Sequence, residues 1–337
     1  MMSPLPLTKP SMAVGAALAA PRVAVIICAY TERRWELLVA AVDSVKAQVR
    51  TPDEVALVID HNDALLARAR AAFSSVQVMA NEEASGLSGA RNTGVRRTRA
   101  DVLAFLDDDA CAEPEWLAEL VDALRQPAVL GAGGIATPIW ERPAPAWMPP
   151  EFLWVVGASY TGLPRDRTSV RNPIGANMAF RQEAFELVGG FTDGIGRVGR
   201  IPLGCEETEF AIRVRQAAPG SVVMHVPEAR VWHHVAADRG TWRYFCSRCW
   251  AEGASKAMVT ARVGSDGLAS ERSYLARTLP RGVLAGLRAA GRGDPAGLAR
   301  AAAICVGTGL TLLGWVHGRR ANRSRGPVRH KGTDGRR

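Results

Sequence analysis

The stretch DVLAFLDDDACAEPEWL, from Asp101 to Leu117, decides the interpretation of this chain, because three carboxylates follow an apolar run. The run VLAFL has the composition of a strand that is buried on both faces of a sheet. Asp107, Asp108 and Asp109 repel one another and would each prefer water, so their place directly after a core strand needs a physical reason. Pro114 then opens an amphipathic helix.

Strands and helices alternate on both sides of this stretch. Buried strands are predicted at Arg22–Tyr30, Glu54–Asp60, Val76–Ala80 and Asp101–Asp107, with helices between them. This alternation predicts an α/β fold with a mostly parallel sheet flanked by helices. Ligands of such sheets bind outside the carboxyl ends of the strands. Residues at three of these ends, Tyr30, Asp60 and the Asp107–Asp109 run, are therefore expected at one rim.

A hard divalent cation would reverse the repulsion within the Asp run. Mg²⁺ and Mn²⁺ favour carboxylate oxygens and usually keep phosphate oxygens as further ligands. Alternating residues of a strand end point the same way, so Asp107 and Asp109 are the predicted metal ligands. The alternative is an Asp-rich turn whose acids cap the helix after Pro114.

Composition excludes several classes of protein. A chain of 337 residues that is 47% hydrophobic can bury a sizeable core. Its six Cys are scattered, with a single CxxC pair at Cys246 and Cys249, which favours reduced thiols over a disulfide scaffold or a zinc site.

The net charge of +9 is concentrated in residues 318–337, which contain eight Lys and Arg and one Asp. We interpret this segment as a basic disordered tail, with contact to anionic lipid or nucleic acid as the alternative.

The remaining segments set the domain boundaries. Residues 1–20 are interpreted as a disordered leader rather than a signal peptide. Residues 138–150 contain five Pro and are predicted as an extended connector, neither helix nor central strand. Residues 241–317 are predicted as a helical C-terminal region. Its uncharged part, Ala301–Val316, is short for a bilayer span, which favours a buried or interfacial helix.

Five segments in order resemble the family 2 glycosyltransferases, which have the GT-A fold. These are VAVIICAYTER, EVALVIDHND, ASGLSGARNTGVRRTRADVLAFLDDDACAEPEWL, GANMAFRQEAFELVGGF and GCEETEFAIRVRQA. The resemblance implies a GT-A domain at residues 21–240, with a nucleotide-binding half at 21–137 and an acceptor half at 138–240. It also implies inverting, metal-dependent transfer of a sugar from a nucleotide-diphosphate sugar, with a UDP-sugar as the expected donor. The acceptor would be a hydroxyl on a small molecule, a lipid carrier or a glycan, and the cofactor Mn²⁺ or Mg²⁺.

The resemblance also assigns the donor site residue by residue. Asp107 and Asp109 match the family's metal-binding acids, and His233 stands where the family often has a further metal ligand. A structural role is the alternative for this His. The predicted nucleotide-binding residues are Ala29, Tyr30, Glu32, Asp60, Arg91 and Asp108. The family often has a second acid after the one matched by Asp60, and this chain has His61 there.

Two acids at the start of a predicted helix are the catalytic candidates. The acidic pair of the family maps to Glu206 and Glu207, with Glu207 as the general base and Glu206 orienting it or binding the acceptor. A base is needed because the acceptor hydroxyl must lose its proton as it attacks the sugar. The alternative is that both acids only complement the helix dipole.

The C-terminal region leaves a second question open. In GTWRYFCSRCWAEGASKAM, the cations Arg243, Arg248 and Lys256 alternate with aromatic residues. They could face a phospholipid-like acceptor or the leaving diphosphate, or lie on a solvated helix face. Trp140, Trp147, Trp154 and Trp242 could likewise stack on sugar rings or pack in the core.

Two other functions compete with glycosyl transfer. A nucleotidyltransferase would also need a metal bound by Asp, but should carry a Gly-rich triphosphate loop after the first strand, which CAYTERRWELL lacks. A basic nucleic-acid-binding protein is supported by the tail alone, so a nucleic-acid partner is not expected. We expect a cytoplasmic enzyme that is either unattached or peripheral at the inner face of the membrane.

Overall fold

The computed structural model describes residues 20–196, 204–264 and 272–324. Nearly all of the predicted leader and residues 325–337 of the predicted tail lie outside these ranges. Nine strands form one sheet: β1 (Val23–Ala29), β2 (Glu54–Ile59), β3 (Gln77–Ala80), β4 (Val102–Asp107), β5 (Ala110–Ala112), β6 (Val129–Trp140), β7 (Thr168–Val170), β8 (Asn177–Arg181) and β9 (Val222–Val235). The helices are α1 (Trp35–Lys46), α2 (Asp63–Ala72), α3 (Leu87–Arg97), α4 (Trp116–Leu124), α5 (Gln182–Val188), α6 (Glu206–Ala217), α7 (Trp242–Val263), α8 (Leu279–Gly291) and α9 (Ala296–Ser324).

The predicted α/β class is confirmed, with a mixed sheet. Its order is β3-β2-β1-β4-β8-β6-β9-β5, and β7 pairs with β9. The first four strands in this order are parallel, as the crossover helices between them require. Strand β8 joins β4 and β6 in antiparallel register, and β6 pairs with β9 in parallel. Strands from both predicted halves therefore share one sheet.

The alternation of side chains along β1 explains why helices cover both faces. Val25 and Ile27 belong to a core cluster that includes α1 and α4, whereas Ala24 and Ile26 belong to one that includes α3 and α6. Both faces are apolar, as expected for a central strand of a parallel sheet. Gly94 of α3 lies directly over Ile26, where an added Cβ would come within 2.6 Å of the Ile26 Cγ2.

The prediction for residues 138–150 is corrected. Pro138 lies within β6, opposite His233, although residues 138–150 were expected to exclude a central strand. Because β8 pairs only with Gly131–Gly133, this end of β6 has one open edge, where a missing N–H is tolerated.

The C-terminal region is helical, as predicted. Helix α9 is 29 residues long and continues to Ser324, so the first residues of the predicted tail are helical rather than disordered. The physical reason is packing, because Gly314 and Gly318 of α9 lie against the backbone of α7. Residues 296–323 are long and apolar enough to cross a membrane, and 28% of their most apolar window is buried in the protein.

Candidate active site

The end of β4 brings the predicted metal ligands together. Asp107 is the last residue of β4, and Asp109 precedes β5, whose Ala110 pairs with His233 of β9. One ligand atom from each of Asp107, Asp109 and His233 lies within 4.8 Å of the other two. Residues that are far apart in sequence thus meet because β5 folds back onto β9.

This donor set fits a hard divalent cation. Two carboxylates and one imidazole suit Mn²⁺ or Mg²⁺. The His233 Nε2 lies 3.2 Å from the Asp109 Oδ1, so these atoms already converge. Among the described residues, the Asp108 Oδ2 and the His233 Nδ1 are buried without a hydrogen-bond partner. A bound ion or water can satisfy buried polar atoms that have no protein partner.

Two arginines that were not predicted as site residues surround the acids. The Arg34 Nη1 donates to the Asp108 Oδ1 at 2.5 Å and to the Asp109 Oδ2 at 2.8 Å. The Arg239 Nη2 lies 3.5 Å from the Asp109 Oδ2. The position of Arg34, five residues beyond the end of β1, was the only sequence signal for its role.

The environments of adjacent acids separate their pKa values. Burial, and then repulsion from Asp109 and Asp107, raises the pKa of Asp108 to about 7 although Arg34 opposes this. For Asp109, burial acts in the same direction, but His233, Arg239 and Arg34 outweigh it and hold the pKa well below its usual range. Asp109 is therefore a permanent anion, as a metal ligand must be.

Arg91 connects the acids of β4 to the predicted catalytic pair. Its side chain is 2% exposed, and its Nη1 donates to the Glu206 Oε1 at 2.8 Å. Its Nη2 donates to the Asp107 Oδ1 at 3.2 Å and to the Gly175 carbonyl at 2.9 Å. Sequence reasoning expected Arg91 to reach the nucleotide, and the structure adds this bridging position.

Glu206 and Glu207 open α6 after Cys205, which has a positive φ of 75°. Glu206 is buried against Arg91, whereas Glu207 accepts a hydrogen bond from the Thr208 hydroxyl at 3.2 Å. Burial, and then the charge of Glu206, raises the pKa of Glu207 to about 8. A carboxylate of this kind is poised to take a proton near neutral pH.

Asp60 organises the loop that leads into α3. Its Oδ2 accepts hydrogen bonds from the Gly86 N–H at 2.9 Å and the Ser85 hydroxyl at 3.2 Å. Its Oδ1 accepts from the Asn81 amide at 2.7 Å and lies 2.8 Å from the His61 Nδ1. These contacts fix Asp60 at the rim formed by the carboxyl ends of the strands, where ligands of such sheets bind.

A cavity of about 810 Å³ contains almost all of the predicted site. Ala29, Tyr30, Asp60, Arg91, the Asp run, Glu206, Glu207 and His233 line it. Glu32 is the exception: it is exposed and does not line the cavity, because the short turn Glu32–Arg34 directs Arg34 inward instead. The cavity continues past Trp154 to α7, whose Arg248 and Lys256 had a site role as one alternative, and to α9, which was not expected in the site. Of the tryptophans considered for stacking on sugar rings, Trp154 lines the cavity. Trp147 and Trp242 instead pack edge to face against each other, with ring centroids 5.0 Å apart.

Solved structures with the same fold are glycosyltransferases. A mannosyltransferase from Pyrobaculum calidifontis, solved with GDP-Man and Mn²⁺, matches with a TM-score of 0.59 at 19% identity, over 94% of this chain and 92% of that one. GalNAc-T7, solved with UDP, GalNAc and Mn²⁺, matches with a TM-score of 0.50 at 17% identity, over 72% of this chain and 50% of that one. These likenesses show that the chain has the GT-A fold.

Sequence comparison identifies the family. Residues 24–189 match the profile described as Glycosyl transferase family 2. The glucosyl-dolichyl phosphate glucuronosyltransferase of Haloferax volcanii is 32% identical over 71% of this chain and 77% of its own length. The succinoglycan biosynthesis protein ExoM of Rhizobium meliloti is 28% identical over 52% of this chain and 54% of its own length. The chain belongs to glycosyltransferase family 2.

Proposed function

We propose that this enzyme transfers a sugar from a UDP-sugar to a hydroxyl of a lipid-linked acceptor, with inversion at the anomeric carbon and with Mn²⁺ or Mg²⁺. The observation that carries the proposal is the Arg91 bridge between Asp107 and Glu206. It joins the candidate metal site to Glu206, which directly precedes the candidate base Glu207. The residues that would bind the metal and the residue that would deprotonate the acceptor are thereby held at a fixed distance from each other.

The donor side is formed by the carboxyl ends of β1, β2 and β4. Asp107, Asp109 and His233 would hold the divalent cation, which neutralises the diphosphate and makes it a better leaving group. Arg34 lies beside these acids and offers guanidinium donors to phosphate oxygens. Tyr30 and Asp60 line the same rim and would bind the base and the ribose.

The acceptor side is formed by the start of α6. Glu207 takes the proton from the acceptor hydroxyl as that oxygen attacks the anomeric carbon, while the bond to the diphosphate breaks. Arg91 neutralises Glu206, so one of the two adjacent acids is held as an oriented anion and the other is left to exchange a proton. A single displacement with a base on the acceptor side inverts the configuration.

The lipid-linked acceptor is supported by a relative and by the cavity. The relative from Haloferax volcanii is named for a glucosyl-dolichyl phosphate acceptor. In this chain the cavity continues from Glu207 to the apolar residues Leu275 and Leu312. An acceptor with a hydrocarbon chain accounts for this extension better than a soluble sugar does.

We propose that the C-terminal helices contact the membrane surface at its cytoplasmic face. Helix α9 has the length and composition of a membrane span, but it packs along α7 at Gly253 and Gly314. Helix α7 carries the charged residues Arg248, Glu252 and Lys256, so burying both helices in hydrocarbon would be expensive. An interfacial position for α9 avoids this. Release of the protein from membranes by alkaline carbonate is the expected result, and a requirement for detergent would indicate a spanning helix instead.

The experiment that tests the function is sugar transfer by purified enzyme from a panel of nucleotide sugars with Mn²⁺ present. We expect turnover with a UDP-sugar, and a loss of at least about 100-fold in kcat for Asp109→Ala and for Glu207→Ala. Asp43→Ala and Glu186→Ala, at exposed positions on α1 and α5, are the matched controls and should retain activity. Full activity of both site variants would overturn the proposal.

A further inference from the structure

We infer that the part of the cavity between α7 and α9 is a binding subsite for the phosphate and the first hydrocarbon units of the lipid-linked acceptor. Arg248 and Lys256 are its cationic ligands, and Leu275 and Leu312 form its apolar exit. This inference rests on the proposed function and assigns residues to its acceptor. Sequence reasoning had left a solvated face and the leaving diphosphate as alternatives for these two cations.

The cations are held in place by a buried carboxylate. Arg248, Glu252 and Lys256 follow one another at four-residue intervals on α7, so they share one helix face. The Arg248 Nη1 donates to the Glu252 Oε2 at 2.9 Å, and the Lys256 Nζ lies 3.5 Å from the Glu252 Oε1. All three side chains line the cavity.

The charge of this group matches a phosphodiester. Burial works against the ionised form of Glu252, but Arg248 and then Lys256 lower its pKa to about 2. Glu252 therefore stays ionised, and it lies between the cationic side chains of Arg248 and Lys256. A sugar joined to a lipid through one phosphate carries a single negative charge, which this group would complement.

The position of the group places it on the acceptor side of the base. The Cys205 Sγ, directly before the Glu206–Glu207 pair, lies 3.4 Å from the Glu252 Oε1. The Gly204 N–H donates to the Ser255 hydroxyl at 3.3 Å, and a Cβ on Gly204 would lie 2.9 Å from the Arg248 Nη2. Helix α7 is thus docked against the start of the helix that carries Glu207.

A different pair of cations serves the donor side. Arg34 and Arg239 contact Asp108 and Asp109, whereas Arg248 and Lys256 contact Glu252. Among the described residues that line the cavity, these are two separate groups of cations beside acids, and Arg91, Arg171 and Arg272 are further cations. The first lies where the donor diphosphate is expected, which leaves the second for another anion.

The exit from this part of the cavity is apolar and exposed. Leu275 and Leu312 line the cavity and are 42% and 52% exposed. On α9, Leu312 is followed by the apolar residues Leu313 and Val316, which are 57% and 40% exposed. Large apolar side chains at the mouth of a cavity suit a hydrocarbon chain that leaves the enzyme toward a membrane. A wholly polar glycan would leave these residues without a matching surface.

The test compares two soluble acceptor analogues by binding to the full chain with UDP and Mn²⁺ present. One is glucose joined through a phosphodiester to a short prenyl chain, and the other is the prenyl glucoside without phosphate. We expect wild type to bind the phosphodiester about 10- to 100-fold more tightly. Arg248→Ala and Lys256→Gln should remove most of this preference. Arg262→Ala, an exposed cation in the last turn of α7, is the control and should retain it.

The second arm varies the length of the prenyl chain. In wild type, longer chains should bind more tightly, by several-fold for each added prenyl unit that reaches the exit. Leu312→Gln should flatten this dependence, whereas Leu298→Gln, at an exposed position on α9 that does not line the cavity, should not. Both positions are exposed, so neither change is expected to prevent folding.

The outcomes separate this inference from the proposed function. Equal binding of the two analogues by wild type, or no binding of either, would overturn the subsite while Mn²⁺-dependent UDP binding remains intact. A loss of UDP binding in Arg248→Ala or Lys256→Gln, with analogue preference unchanged, would also overturn it and assign the cations to the donor. Absence of UDP binding in wild type would instead contradict the proposed function. Lys256→Gln keeps the Arg248–Glu252 pair, so the test does not depend on how well Arg248→Ala folds.

Discussion

The Arg91 Nη1 lies 2.8 Å from the Glu206 Oε1, and this contact ties the helix that carries the predicted base to the strand end that carries the predicted metal ligands. The other end of the guanidinium reaches Asp107 at 3.2 Å. The Glu206 side chain is only 6% exposed, so it cannot turn to water if Arg91 is removed, whereas Asp107 is 28% exposed and faces the cavity. The Arg91 network therefore stabilises the fold and also forms part of the site.

We expect Arg91→Ala to lower the free energy of unfolding by about 3–5 kcal/mol, because it leaves two acids of a buried network without their partner. Arg91→Lys should recover only part of this, since an ammonium cannot reproduce a planar, two-sided contact. Urea denaturation checks both. Arg96→Ala, an exposed ion-pairing position on the same helix, is the control and should change stability by about 1 kcal/mol or less. Equal effects at positions 91 and 96 would contradict the bridging role.

The pKa of about 8 for Glu207 predicts the pH dependence of catalysis. A base must be deprotonated, so kcat should rise with pH and level off above about pH 8. Glu207→Gln should lower kcat by about 10²- to 10⁴-fold and abolish this rise, with donor affinity retained. A profile that is flat between pH 6 and 9, roughly the range over which such a group would titrate, would remove Glu207 from the role of base.

The pH dependence of stability tests the raised pKa of Glu207 independently of catalysis. The folded pKa of Glu207 is raised above its ordinary value of 4.5, so its contribution to stability is fully present below that pH and is lost as pH rises toward about 8. Glu207→Gln removes this loss. The variant should therefore gain stability relative to wild type at high pH, measured as a difference in Tm between acidic and alkaline buffer.

Arg34→Ala should act in opposite directions on metal and donor. Its guanidinium lies 2.8 Å from the Asp109 Oδ2 and repels a cation there, so its removal should strengthen Mn²⁺ binding in the absence of nucleotide. The same change removes a donor to phosphate, so the KM for the nucleotide sugar should rise about 10-fold or more. Calorimetric Mn²⁺ titration and initial rates measure the two effects. The exposed neighbour Arg33→Ala should show neither, and weaker binding of both ligands in Arg34→Ala would contradict this account.

Helix α9 offers a matched pair of glycines for testing its packing. A Cβ on Gly314 would lie 2.2 Å from the Trp250 carbonyl oxygen of α7, whereas a Cβ on Gly309 would meet nothing within 4 Å. Gly314→Ala should therefore lower stability by about 1–3 kcal/mol. Gly309→Ala should be neutral or stabilising by up to about 1 kcal/mol, because alanine favours helix more than glycine does. Similar Tm values for the two variants would show that α9 does not pack on α7 in this way.

The sequence predicted the parallel strands well because hydrophobic runs report burial directly. Composition and position alone predict strands β1, β2 and β4, together with the acids at the ends of β2 and β4. Pro138 was misassigned because a proline signals only a missing N–H, and the open edge of β6 that tolerates it depends on which strands are neighbours.

Site residues that directly follow a strand could be predicted from the sequence. Those that other segments bring to the site could not. Asp107 and Asp109 follow directly from β4, but Arg34 and Arg239 become site residues only because a turn and a distant loop fold over the acids. The same holds for Arg248 and Lys256, since nothing in their helical spacing shows that α7 docks beside Cys205. Nothing in the residues around Glu32 indicates that the turn directs this side chain outward.

The central claim is that the acids at the end of β4 bind a divalent cation together with the diphosphate of a sugar donor. Calorimetric titration of the purified protein with UDP, with and without Mn²⁺, tests it most directly, with Asp109→Ala measured alongside. The account predicts binding in the micromolar range with Mn²⁺ (about 1 μM corresponds to −8 kcal/mol) that weakens at least about 10-fold without the metal or in the variant. Equal UDP affinity with and without Mn²⁺ in wild type would contradict it.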